Sequence, residues 1–125
     1  MSNKSKAKGT RGETRVVKFL TARGIAAKRR ALSGSADKGD IEVTSKGKTI
    51  TLEVKTGKMT SNPSRSQIAE WLRQTKVETE NAQCDAGYLV IVRYGRHIKD
   101  AEVYRLGYGE WQEMIYLDQF AELLR

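Results

Sequence analysis

The sequence predicts an α/β sandwich, a mixed central β-sheet flanked by helices. Three observations carry this. Segments of helical and of alternating periodicity follow one another in the order α-β-β-β-α-β, the signature of helices layered on a sheet. Gly87-Tyr88-Leu89-Val90-Ile91-Val92 is the most apolar run and reads as a strand covered on both faces. Ser45-Lys46-Gly47-Lys48, between two alternating segments, reads as a hairpin turn. With 125 residues the chain is expected to form one domain. A domain of this size buries roughly two-thirds of its unfolded surface, enough for a core without covalent staples.

The elements follow in order. Residues 1–8 are small, polar and basic and read as a flexible arm ahead of a single domain at 9–125. A first helix is predicted over 10–23, with Val16, Val17, Phe19 and Leu20 as its apolar face and Gly24 as its C-cap. Residues 25–30 read as a strand, and 31–39 as a polar loop punctuated by Gly34 and Gly39. Strands follow at 40–44 and 49–56, the latter alternating Ile50, Leu52 and Val54. The loop 57–63 holds the only proline. Ser64 or Ser66 caps a second helix over 67–82, with Ile68, Trp71, Leu72 and Val77 as its buried side. Beyond the apolar strand, Tyr94-Gly95-Arg96-His97 turns the chain. Glu102 to Leu106 reads as an edge strand, Met114 to Leu117 as a short extended piece, and Asp118 as the cap of a last helix over 119–124.

Composition narrows the partners. Lysine and arginine total 23 against 15 acidic residues, a net charge of +8. The excess sits at the front, where residues 1–30 hold basic residues at 4, 6, 8, 11, 15, 18, 23, 28, 29 and 30 and one acid, Glu13. Such a distribution suits a polyanion, although a basic run alone also serves solubility. A membrane-surface helix is disfavoured because the run has no large apolar face. The single cysteine, Cys84, allows no disulfide within the chain, and no Cys/His zinc spacing is present, so a reducing cytoplasm is the expected setting. No apolar run is long enough to span a bilayer, and the first residues lack the apolar stretch of a signal peptide.

The chemistry lies in Asp40 and in Glu53-Val54-Lys55. Two carboxylates can hold a hard divalent cation, and a neighbouring lysine can orient or deprotonate an attacking water, as phosphodiester hydrolysis requires. Strand residues i and i+2 share a face, so Glu53 and Lys55 point the same way. Counting back through the hairpin at 46–47 places Asp40 near the register of Glu53 or Lys55. A Glu-x-Lys alone is more often the solvated face of a strand. An aspartate one hairpin away, in a basic chain, tips the reading towards a site.

Asp40 and Glu53-Val54-Lys55 resemble the PD-(D/E)xK nuclease core, with Gly39 where proline is usual. The order of Lys8-Gly9, Glu13, Arg23-Gly24-Ile25, Arg29, Ser33-Gly34-Ser35 and Asp40-Ile41 is similar to the archaeal-type Holliday-junction resolvase family and its phage relatives. The resemblance implies a restriction-endonuclease-like core. It implies Glu13, Asp40, Glu53 and Lys55 as catalytic residues, with Glu13, Asp40, Glu53 and the Val54 carbonyl around Mg²⁺ or Mn²⁺. It also implies Arg29 as a basic residue of the first strand, and Ser33 or Ser35 as the loop serine near the scissile phosphate. Arg15 stands in for the basic residue usual at position 14, which is Thr14 here.

The remaining basic residues near these positions, Lys8, Arg11, Arg30, Lys38 and Lys58, are expected DNA contacts. Gln74 is a further candidate on the second helix, and Glu42 is either an outer acid or a solvent-facing residue. His97 is a phosphate contact or a bystander, and Cys84 a small hydrophobe. The reading is a Mg²⁺-dependent DNA endonuclease acting on branched DNA, most economically as a C2 homodimer, since two opposed strands must be cut. Its interface is expected to use Trp71, Tyr104, Trp111 or the last helix with Phe120 and Leu123. The chain would act in the cytoplasm, that of a bacterial host if phage-encoded. Alternatives are a nickase, an end-processing or restriction-like nuclease on the same core, or a catalytically silent DNA-binding relative; the complete acid-acid-lysine set argues against the last.

Overall fold

The computed structural model describes residues 3–31, 37–107, 109 and 111–125, with side chains from Thr10 onward. One sheet carries β1 (Ala26–Arg29), β2 (Ile41–Ser45), β3 (Lys48–Lys55), β4 (Ala86–Ile91), β5 (Glu102–Leu106) and β6 (Gln112–Tyr116) side by side in chain order. All neighbours are antiparallel except β3 and β4. A parallel pair needs a crossover, and α2 (Arg65–Asn81) supplies it. The α1 (Asn3–Thr21) and α3 (Leu117–Leu124) helices complete the chain.

Alternation along the strands sorts the core into two parts. Ile50, Leu52, Val54, Val90 and Val103 pack with Val16, Phe19 and Leu20 of α1 and Leu117 and Phe120 of α3. Leu89, Ile91 and Tyr104 pack with Ile68, Trp71 and Leu72 of α2. The sheet is therefore a filling between α2 on one face and α1 with α3 on the other. β4, the apolar run, is sealed on both sides, with Leu89, Val90 and Ile91 all at 0% exposure.

The hairpin between β2 and β3 turns on Lys46 and Gly47, whose φ angles of 52° and 77° make the turn that matches strand twist. The turn fixes the register, Ile41 against Leu52 and Ser45 against Lys48. Ser64 is the cap of α2; its hydroxyl accepts from the Gln67 N–H at 3.1 Å.

Five expectations need correction. The first helix starts at Asn3, inside the stretch read as a flexible arm, because Lys4 to Lys8 contains no helix breaker and its lysines and alanine favour helix. β5 is not an edge strand: β6 pairs along its outer side and is the edge. Val77 is 55% exposed, and Glu78 takes its place on the buried side of α2. The last helix begins at Leu117, with the Gln119 side chain accepting from the Tyr116 N–H at 2.9 Å, so Asp118 lies within its first turn. Trp71, Tyr104 and Phe120 are core residues and cannot serve an interface, whereas Trp111 and Leu123 are 68% and 65% exposed.

Candidate active site

Asp40 stands just before β2, and its main chain is clamped on both sides. Its N–H donates to the Leu52 carbonyl at 3.0 Å and its carbonyl accepts from the Arg30 N–H at 2.9 Å. It therefore lies directly opposite Glu53, as the hairpin count allowed. Asp40 Oδ2 accepts from the Val54 N–H at 2.8 Å. Gly39 has a φ of 88°, which proline cannot adopt, and this accounts for its departure from the motif. The Gly39 N–H donates to Asp37 Oδ1 at 2.9 Å.

Glu53 is in the middle of the sheet on the α2 face and is 7% exposed. Burial, followed by the approach of Glu53, raises the Asp40 pKa to about 8, against the pull of the Val54 N–H and Lys55. Burial also raises Glu53 to about 8, with Glu78 adding to it and Asp40 and Lys55 opposing. The Lys55 ammonium is half-buried with its strand end and lies 5.8 Å from the centre of the Trp71 ring. Glu13 reaches the site from α1. It accepts from Arg29 Nε at 3.3 Å, and burial and then the Asp40 charge raise its pKa against that arginine. The structure thus brings Glu13, Asp40, Glu53 and Lys55 to one end of the β2–β3 pair.

Two acids were missed, Asp37 and Glu78. Glu78 of α2 is 3% exposed, and the oxygens of Asp37, Glu53 and Glu78 lie within 4.8 Å of one another. Burial, and then its carboxylate neighbours Asp37 and Asp40, push Glu78 up, against a contact with Glu53. The signal was present in the helix spacing: Glu78 comes two turns after Trp71, on the same side. Gln74, the candidate on this helix, is exposed. Glu42 is engaged with Lys28 at 3.9 Å and Arg30 at 3.7 Å on the β1–β2 surface. An all-oxygen set of crowded carboxylates, one of them without a hydrogen-bond partner among the described residues, fits a hard divalent cation.

The basic residues divide. Arg11, Arg15, Lys38 and Lys58 are exposed, and Arg29 is exposed while bonded to Glu13. Arg11 and Arg15 line a groove of about 320 Å³ with Thr56, Tyr94 and Arg96, beside the end of β3. Arg30 is turned inward instead. Its guanidinium bonds the Lys38 carbonyl and the Thr51 hydroxyl, and Cys84 Sγ at 3.3 Å, so it braces the Asp40 loop. His97 caps a short turn through Nδ1, accepting from the Lys99 N–H at 3.3 Å. The Lys8 side chain, Ser33 and Ser35 lie outside the described residues.

No curated protein matches the sequence. Among solved structures, the Holliday junction resolvase Hjc of the archaeal hyperthermophile Archaeoglobus fulgidus aligns with a TM-score of 0.55. The alignment covers 93% of this chain and 99% of that one at 21% identity, a likeness of fold. The model of the archaeal Holliday junction resolvase (Hjc) family matches residues 4–78, from α1 through most of α2, a span that holds Glu13, Asp40, Glu53 and Lys55. By that match the chain belongs to the archaeal Holliday junction resolvase family.

Proposed function

We propose that this resolvase cuts four-way DNA junctions by paired phosphodiester hydrolysis, with a divalent cation, Mg²⁺ or Mn²⁺, and as a homodimer. Family membership makes it a Holliday junction resolving endonuclease. The observation that carries the mechanism is the convergence of Asp40, Glu53 and Lys55 at one end of β2 and β3.

Asp40, Glu53 and Glu13 would hold the cation, with the Val54 carbonyl as a further ligand. The bound cation would supply charge stabilisation at the scissile phosphate and lower the pKa of the attacking water. The chain does the rest. The Val54 N–H orients the Asp40 carboxylate. Arg29 orients Glu13. Lys55 brings an ammonium to the same end of the sheet, where it can donate to the attacking water and so position it. The groove of Arg11, Arg15 and Arg96 gives the phosphate backbone a path from the site. Trp111 just before the edge strand, Met114 and Tyr116 within it and Leu123 of α3 offer exposed apolar surface for a two-fold contact. Among the described residues no helix is long and apolar enough to cross a membrane, and we place the chain in the cytoplasm with its DNA.

Labelled four-way junction, matched duplex, flap and single strand, each incubated with Mg²⁺ and with EDTA, test this. The expected result is Mg²⁺-dependent, near-symmetric paired nicks in the junction, from a protein of twice the 14.1 kDa chain mass by light scattering. A monomer that cuts duplex and junction alike would replace the resolvase reading with that of a general nuclease.

A further inference from the structure

The mechanism above leaves Glu78 idle. Its side chain is buried, at 3% exposure, and neither carboxylate oxygen has a hydrogen-bond partner among the described residues. A buried carboxylate with no donor is costly, and a leucine at this position of α2 would simply extend the apolar face formed by Ile68, Trp71 and Leu72. The orphaned oxygens face other acids. They lie with those of Glu53 and Asp37 inside a 4.8 Å span. Around a small cation with metal–oxygen distances of about 2.1 Å, ligand oxygens stand roughly 3 to 4.2 Å apart, and larger ions stretch this further. The three carboxylates come from three elements: the loop before β2, the central strand β3 and the crossover helix α2. Asn81, one turn beyond Glu78, donates from Nδ2 to the Asp37 carbonyl at 2.9 Å and so ties that loop to the helix beside the acids. Asp40 is not within this group. It stands across from Glu53 on the β2 side.

We propose that Asp37, Glu53 and Glu78 hold a second divalent cation, with Glu53 shared between this position and the one at Asp40. Paired cations sharing a carboxylate are a recurrent arrangement in phosphodiester hydrolysis, one on each side of the scissile bond. The inference rests on reading the chain as a metal-dependent nuclease.

Mn²⁺ titration of the full chain without DNA, with free Mn²⁺ followed by electron paramagnetic resonance, tests it. Wild type should take up two ions per chain. Glu78→Gln, which keeps shape and volume, should take up one, and Asp37→Asn should weaken one of the two by about tenfold or more. Asp37 is on the surface, so its variant decides the matter even if Glu78→Gln fails to fold. Two ions in both variants, or a single wild-type ion indifferent to both substitutions, would overturn the second site and leave the proposed function standing. No uptake by wild type would sink the metal-dependent reading and this inference together.

Discussion

The two faces of the sheet are made by the same strands and have opposite characters. Under α1 and α3, β3 presents Ile50, Leu52 and Val54, which pack into the larger apolar cluster. Under α2, the same strand presents Thr51, Glu53 and Lys55. The helix meets them with Ile68, Trp71 and Leu72 along its first half, then with Thr75 and Glu78. Thr51 and Glu53 are about as dry as the apolar residues, at 0% and 7% exposure. The lesson is that burial alone does not mark a core. One face excludes water to gain stability, and the other excludes it to keep carboxylates crowded and short of solvent until a cation arrives. Substitutions on the two faces should therefore fail in different assays.

The largest effect is expected on the α2 face. Asp40→Ala, Glu53→Ala and Lys55→Ala should each lower junction cleavage about a thousandfold or more, since metal and water activation contribute several kcal/mol. In EDTA at pH 8 the unfolding midpoint of Glu53→Ala should be no lower than wild type, because this variant relieves the crowding of like charges. Full activity in Glu53→Ala would remove the site. On the other face, Phe120→Ala, which empties the space against the Tyr88 ring at 4.8 Å, should cost about 3–5 kcal/mol in denaturant unfolding. Cleavage per folded molecule should not change; a large loss there would mean that the faces are not separable.

A pH series sharpens the contrast. Asp40 and Glu53 have folded-state pKa values raised to about 8, while in the unfolded chain they titrate near about 4. Between these limits the folded, metal-free protein holds protons that the unfolded chain releases, so its stability is fully present below about pH 4 and declines as pH rises towards 8. Circular dichroism melts in EDTA should show a higher midpoint at pH 5 than at pH 8. Glu53→Gln should flatten the difference, and a midpoint that rises with pH would contradict the crowding. The smallest effect concerns DNA. Arg11→Ala and Arg15→Ala should each reduce the salt slope of junction binding by about 0.9, one phosphate contact apiece, with little change in cleavage of bound junction. An unchanged slope would return these residues to a solubility role.

Much of the site could be read from the residues because the hairpin is so short. A two-residue turn at Lys46-Gly47 leaves one register, and that register sets Asp40 across from Glu53. Glu78 was harder to see. A glutamate on a helix is ordinarily solvated, and which side of α2 faces the sheet is decided by packing of Trp71 and Ile68, not by charge. The status of β5 failed for a related reason: a strand's own alternation says nothing about whether another strand will pair beyond it. The bracing contacts of Arg30 were not legible: a basic residue at a strand end looks outward in one dimension, while the chain folds Thr51, Lys38 and Cys84 around it. Gly39 shows the reverse. Where proline is usual, the backbone angle of 88° makes glycine the residue that fits.

The single parallel pair in the sheet has a consequence in time. Asp40 and Glu53 meet through a local hairpin, which forms early and cheaply. Glu53 and Glu78 meet only when the chain between them has run across the sheet as α2 and β4 has docked beside β3. Pairings between distant parts of a chain are the slow ones in folding. A nascent or half-folded molecule thus holds the hairpin acids without their buried cover, open to water. An enzyme that cuts DNA gains from this sequence of events, because the cutting centre closes only when the whole molecule has.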